Sequence, residues 1–330
     1  MKIFTVAKGS TGFEGLKPAE RERPTAGPGQ VLVRMRAASL NFRDLAIVAG
    51  KYFRGPVEHD TIPLSDGAGE VAAVGAGVKQ FAIGDRVVAA FTQGSPPAAL
   101  GFPLDGCLTE YAVFPADGLL RVPAHLSFEE AATLPCAGVT VWNALMHGPS
   151  SLKPGETVLA LGTGGVAIYA LQIGKMAGAR VIITSSSDEK LKRAAGLGAD
   201  HGINYKKTPE WDKAVLELTD GQGAEHVIDT GGVGTLPKSY IAVAPAGVVS
   251  VIGVMTRPEG DLSPYPLMTK AAMVRGIFVG TREHFDGLMK AVTVNGLHPV
   301  VDKTFDFDAA PEAYKHLKSG QHFGKVVIKI

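Results

Sequence analysis

Residues 157–173 read TVLALGTGGVAIYALQI, a stretch that sets a short apolar run directly against a glycine-rich turn. The run is strand-like, and Gly162–Ala167 then spells G-x-G-x-x-A ahead of apolar residues at helical spacing. Gly162 permits a tight turn, and Gly164 lets the backbone come close to a pyrophosphate. Ala167 lets the following helix sit against the strand. Gly165 and Val166 open that helix, whose N-terminal N–H groups and dipole favour an anion. A glycine-rich turn alone is a common feature. Here the strand before it, the helix after it and a second strand, ARVIITS, at the expected distance make it a dinucleotide-binding unit.

The second strand runs into SSSDEK, residues 185–190. A unit of this kind places its ribose-binding acid near Ser185, and this chain has no carboxylate there. Nothing at that point repels a 2′-phosphate. The hydroxyls of Ser185 and Ser186 can donate to it, and Lys190, one turn into the next helix, can reach it. NADPH is therefore expected over NADH. The same serines also suit helix capping, with Ser186 and Glu189 spaced as a capping box. Asp188 comes late for a ribose contact and lies where it would face the helix dipole.

Outward from this unit the alternation continues. SSDEKLKRAAGLG reads as helix, DHGINYK as strand, PEWDKAVLELT as helix, AEHVIDT as strand, TLPKSYIAVA as helix and GVVSVIG as strand. Strands separated by helices of this length pair in parallel with helices on both faces. The first third differs: VLVRMRAAS alternates apolar and polar residues, and GEVAAVGAGV, GDRVVAAF and YAVFPADGLLRVP are short pieces punctuated by Gly, Asp and Pro. The tail predicts a helix, a strand pair, another helix and a final strand, HFGKVVIKI. That strand has no place in a parallel sheet and is expected to return to the N-terminal β-rich part. The fold class is α/β with two domains. The β-rich one spans residues 1–122 and 284–330, and the nucleotide-binding one, a doubly wound parallel sheet, spans 123–283.

Composition narrows the partners. With 330 residues, 45% hydrophobic and 20% charged, the chain reads as globular. A net charge of +1 implies no nucleic-acid partner. Two cysteines cannot build a disulfide framework and suit a reducing cytoplasm. MKIFTVAKGS lacks a signal-peptide core, and the apolar run at 157–173 is too broken by glycine for a membrane span. An exposed apolar edge near AMVRGIFVG suggests a homodimer.

Taken together, SLNFRD, LSDGAGEVAAVG, GDRV, DGCLTEYAV, LPCAGVTVWNAL, LGTGGVAIYALQIGK, VIDTGG and HFGKVVI resemble the medium-chain dehydrogenase/reductase superfamily along nearly the whole chain. They look most like its quinone-oxidoreductase and zinc-type alcohol-dehydrogenase-like branch. The resemblance implies a GroES-like catalytic domain and a Rossmann domain. It also bears on metal. Where zinc-dependent members carry a cysteine, this chain has Asn41. Their His-Glu pair corresponds to Ser65-Asp66, and Cys136 matches the third ligand. A single thiolate does not make a catalytic zinc site, and residues 91–110 hold only Cys107 where a structural-zinc lobe would need four cysteines. No zinc is expected.

The catalytic residues implied are Asn41, holding an acceptor oxygen or the nicotinamide ribose, and Tyr52, matching a tyrosine that aids enolate protonation in zinc-free relatives. Tyr52 also fits an ordinary loop aromatic, and Asp44 fits either an orienting carboxylate or a helix cap. For the cofactor, the resemblance places Thr140 at the nicotinamide end and pairs Tyr205 with Lys190 on the 2′-phosphate. It puts Gly231, Ile252 and Gly253 along the adenine and nicotinamide walls, Phe278 and Val279 beside the nicotinamide, and Gly324 at the closing edge. The activity implied is zinc-independent, NADPH-dependent reduction of a quinone or an α,β-unsaturated carbonyl, with a small electron-poor acceptor as partner. The rivals are an alcohol dehydrogenase acting on a carbonyl/alcohol pair and a non-catalytic NADPH-binding redox sensor. Residues 92–104, TQGSPPAALGFPL, are a Pro- and Ala-rich loop that the resemblance does not place, in a region that borders the substrate entrance in this superfamily, so substrate choice carries over least.

Overall fold

The computed structural model describes residues 1–53, 55–253 and 262–330. They form two compact units, Met1–Ala137 with Thr281–Ile330, and Gly138–Gly280.

The first unit is built on a seven-stranded sheet. Its long central strand, Gln30–Ser39, keeps nearly all of its residues out of water. That strand pairs antiparallel with Asp66–Val74, with Tyr111–Pro115 and with the final strand Lys325–Lys329. The strand Lys325–Lys329 thus enters between Val301–Asp306 and Gln30–Ser39, with Val327 opposite Ser39. Phe4, Met35, Val33, Tyr314 and Leu317 pack in one core, so the C-terminal helix Ala310–Lys318 shares its apolar face with the N-terminal strands. The tail carries a single strand before that helix, Val301–Asp306, rather than the expected pair. Pro299 lacks an N–H for a ladder, and the chain between Asn295 and Val301 forms no second strand.

The second unit is a six-stranded, wholly parallel sheet. Its order is His201–Asn204, Arg180–Ser185, Thr157–Ala160, Ala224–Asp229, Val243–Val251, Met273–Gly276. The chain starts at Thr157–Ala160 in the middle, works outward to one side, and returns to fill the other. Every residue of that first strand is buried, as both faces being covered by helices requires. The direction of winding reverses beside it, which is where doubly wound sheets bind their ligands.

The units divide at Ala137/Gly138 and Gly280/Thr281, where the sequence suggested 122/123 and 283/284. The short helix Phe128–Ala131, with Ser127 and Glu130 as a reciprocal capping box, packs on the Gln30–Ser39 and Asp66–Val74 strands and so stays with the first unit. Thr281 caps the helix Arg282–Asn295 and begins the return. Among the described residues no helix is long and apolar enough to cross a membrane.

Candidate functional site

In the second unit the glycine-rich turn is shaped by backbone demands. Gly162 sits at φ +87°, a left-handed conformation that favours glycine, and its N–H donates to Thr184 Oγ1 at 3.0 Å. Gly164 is the extended N-cap of the helix Gly165–Met176 and offers no side-chain cap. The first-turn N–H groups, that of Val166 among them, are thus left for an anionic ligand. Ala167 is buried between helix and strand.

Two further strand ends of the same sheet are tied together by Asp229. Asp229, at the end of its strand, accepts from the N–H groups of Gly231 and Gly232 at 3.0 and 2.9 Å. It also takes the hydroxyls of Thr235 and Ser239 at 2.7 and 2.6 Å. Its carbonyl receives the N–H groups of Ile252 and Gly253. A β-carbon on Gly253 would lie 1.8 Å from the Thr230 carbonyl oxygen, so only glycine fits. Asp229 thus orders both strand ends, and no motif in the sequence singles it out.

At the end of Arg180–Ser185 the three serines divide their work. Ser187 caps the helix Asp188–Gly196, accepting from the Lys190 N–H, so the capping residue lies one position after the expected Ser186. The Ser185 hydroxyl is buried and accepts from the Ser187 N–H at 3.3 Å, which leaves its proton to donate. The Tyr205 N–H donates to the Ser185 carbonyl at 3.0 Å, placing Tyr205 beside the serines with its ring partly exposed. Ser186 is half-buried between them. Asp188 is held by Asn204 at 2.7 Å and by Lys207 at 2.5 Å, and those partners keep its carboxyl below the usual range. The nearby acid is therefore neutralised by a lysine.

Toward the other end, Thr140 is buried in the helix Val139–Met146. One turn on, Asn143 Nδ2 donates to the Val279 carbonyl at 2.7 Å, while Arg275 donates to Asn143 Oδ1 at 2.6 Å. Val279 is held at φ +48°, a conformation that costs a β-branched residue about 1–3 kcal/mol. Phe278, just before it, is largely exposed. Asn143 and Arg275 were not singled out in the sequence, where a helical Asn and a strand Arg carry no motif.

The first unit gathers Asn41, Asp44, Tyr52 and Gly324. Asn41 caps the helix Phe42–Val48, and its N–H donates to Asp44 Oδ2 at 2.7 Å, so Asp44 is a capping carboxylate. It is also 1% exposed, and burial pushes its pKa from 3.8 up to about 6 against the pull of the Arg43 guanidinium. Arg43 is buried as well. Its Nη1 and Nη2 donate to the carbonyls of Leu100 and Phe102 at 2.9 and 3.1 Å, and its Nε donates to the Tyr52 hydroxyl at 3.3 Å. The 92–104 segment, a small hairpin of Thr92–Gln93 against Ala98–Ala99, is thereby tied to the same guanidinium as Tyr52. Since the phenol accepts from Arg43, its own proton is left to give elsewhere.

Lys325 completes the cluster, and sequence reading missed it. Gly324 sits at φ +83°, where a β-carbon would meet the Val300 carbonyl at 2.5 Å. Lys325 follows, only 3% exposed. Its ammonium donates to the Leu40 carbonyl at 2.7 Å and to Asn41 Oδ1 at 2.6 Å, with Asp66 Oδ2 at 3.7 Å. Asp66 is fully buried and accepts from Ser65 Oγ at 2.8 Å and from the Cys136 N–H at 3.4 Å. Burial pushes Asp66 upward while Lys325 holds it down.

The structure thus brings together Asn41, Ser65-Asp66 and Cys136, the positions that match zinc ligands in metal-dependent members. The set does not fit a zinc ion. An ammonium already bonds the Asn41 oxygen and faces Asp66, which leaves Cys136 as the one thiol where a catalytic zinc needs about three protein ligands.

The sequence matches the family descriptions "Alcohol dehydrogenase GroES-like domain" over residues 27–124 and "Zinc-binding dehydrogenase" over residues 165–294. It is 47% identical over 97% of its length to a zinc-type alcohol dehydrogenase-like protein of Schizosaccharomyces pombe, covering 96% of that protein. It is 30% identical to an acryloyl-coenzyme A reductase of Metallosphaera sedula, over 99% of each chain. A crystal structure of a quinone oxidoreductase from Pseudomonas syringae superposes with a TM-score of 0.84 at 30% identity, covering 100% of this chain and 99% of that one. The chain belongs to the medium-chain dehydrogenase/reductase family, and it is an oxidoreductase.

Proposed function

We propose that this protein is a zinc-independent, NADPH-dependent reductase of quinones or α,β-unsaturated carbonyls. The observation that carries the reading is the Lys325 ammonium bonded to Asn41 among residues that match a zinc site. Without a metal to polarise a plain ketone, an acceptor that is already electron-poor asks least of the site. The names of the acryloyl-coenzyme A reductase and quinone oxidoreductase relatives support that class.

When bound, NADPH supplies a hydride. The helix opened by Gly164 to Val166 would take its pyrophosphate, with Gly231, Ile252 and Gly253 beside it. Ser185, Ser186, Lys190 and Tyr205 would take the 2′-phosphate, helped by an Asp188 that Lys207 has neutralised. Thr140, Phe278 and Val279 would serve the nicotinamide end, with Gly324 at the closing edge. On the acceptor side, Asn41 donates to the oxygen that gains charge, and Tyr52 supplies a proton to the enolate. Asp44 keeps the helix that carries Asn41 and Arg43 in place.

A thermal-shift comparison of NADPH with NADH, followed by a panel of quinones and enones, tests this. Ligand that binds the native state raises the midpoint with its affinity. NADPH should raise it at lower concentration, with oxidation on at least one acceptor class. Stoichiometric zinc in active protein, or no oxidation on any acceptor, would sink the reading. A homodimer paired along the exposed Met273–Gly276 edge strand is part of the same proposal, and sedimentation velocity reads it directly.

A further inference from the structure

Two buried polar atoms of the Asn41 cluster lack a hydrogen bond, Asp44 Oδ1 and the Asn41 amide nitrogen, and only the second is a donor. Lys325 has three protons to give, and the Leu40 carbonyl, Asn41 Oδ1 and Asp66 stand around it. An ammonium only donates, so the Asn41 carboxamide must turn its oxygen to Lys325 and its NH2 away. That buried NH2 lies near enough to Asp66 to favour its charge, yet it completes no hydrogen bond. The arrangement follows from strand register. Val327 lies opposite Ser39 and the Leu40 N–H donates to the Val326 carbonyl, so continuing the antiparallel ladder sets Lys325 against Asn41.

We infer that Lys325 is a positioning residue: its fixed ammonium, among the residues matching a zinc site, locks Asn41 with its NH2 as donor to the acceptor's oxygen. The inference rests on the reductase reading. In the reaction, hydride from NADPH forms a C–H bond on the acceptor. The π pair it displaces moves onto the carbonyl oxygen, which accepts from Asn41, and Tyr52 gives its proton to the enolate and regains one from water, leaving NADP⁺. Lys325 touches neither reactant. A buried donor whose approach to Asp66 falls short of a full hydrogen bond is incompletely satisfied, which is a reason for it to be met by a ligand.

The test is a double-mutant cycle on Lys325→Met and Asn41→Ala, with NADPH and either 2-cyclohexen-1-one or 1,4-naphthoquinone. Lys325→Met should lower kcat on the enone by about 10–100-fold, as misplacing an aligned group does. The less demanding quinone should lose less, with NADPH affinity within about twofold. In the Asn41→Ala background Lys325→Met should cost nothing more. Losses that multiply, or an unchanged kcat, would overturn the inference. If Lys325→Met fails to fold because Asp66 is stranded, the neutral pair Lys325→Met with Asp66→Asn carries the same comparison. If the wild-type chain reduces neither acceptor, the reductase reading falls by itself. The locking role is then read from the Asn41 side-chain amide resonances: a change in Lys325→Met supports it, and unchanged shifts refute it.

Discussion

Along the Gly162–Ala167 turn and at Gly231 and Gly253, the nucleotide-binding unit keeps its side chains small and works with main-chain groups. Around Asn41 the other unit does the opposite, taking Lys325, Asp66, Asp44 and Arg43 almost wholly out of water. The first arrangement suits a ligand whose phosphates are always charged, because N–H groups can meet them without ions of their own. The second suits a ligand that becomes charged only during reaction, because fixed ions can hold neutral donors ready. The two strategies fail differently, and the following substitutions separate them.

The largest effect is expected on the charged side. Asp66→Ala strands the Lys325 ammonium in a buried place and should cost about 3–5 kcal/mol, read from urea unfolding midpoints. Asp66→Ala combined with Lys325→Met should be more stable than Asp66→Ala alone. If it is not, the two charges do not stabilise each other.

Next comes Asp44, whose folded pKa of about 6 lies above its ordinary 3.8. The folded chain therefore binds this proton more tightly than the unfolded chain does. The stabilisation is fully present below pH 4 and is lost as pH rises through 6. Asp44→Asn should gain on the wild type between those limits by roughly 3 kcal/mol. A difference in unfolding free energy that stays flat with pH would show that Asp44 ionises freely.

On the backbone side, Gly253→Ala must push its β-carbon away from the Thr230 carbonyl. A loss of about 1–3 kcal/mol is expected, with weaker NADPH binding by titration calorimetry. Kinetics on the acceptor side should follow only through cofactor occupancy. A fall in kcat at saturating NADPH would blur the comparison. The smallest effect is Lys190→Ala, which should weaken NADPH by about 1 kcal/mol and leave NADH unchanged. Equal weakening of both cofactors would reduce Lys190 to a helix residue.

The backbone side was legible in the sequence because a turn that only glycine can make leaves glycine behind. G-x-G-x-x-A, DTGG and VIG carry their constraints within a few residues. The sequence also named Asn41, Asp44 and Tyr52, each through the family's motifs. Lys325 was illegible because its meaning depends on a register joining residues 284 positions apart. Arg43 carries no motif of its own, and its three acceptors lie on Tyr52 and on Leu100 and Phe102, far along the chain. The capping serine was placed one residue early because Ser186 and Ser187 are chemically equal and only the backbone decides between them.

Arg43 grips the 92–104 segment by the carbonyls of Leu100 and Phe102, and a carbonyl is the same on every amino acid. The exposed side chains of that segment, at residues 94–97, can therefore diverge while the tether to the helix carrying Asn41 persists, whereas Gln93, Leu100 and Phe102 are buried and held by packing. For protein engineering, that exposed stretch is the place to randomise, because changes there leave in place the guanidinium that steadies the phenol.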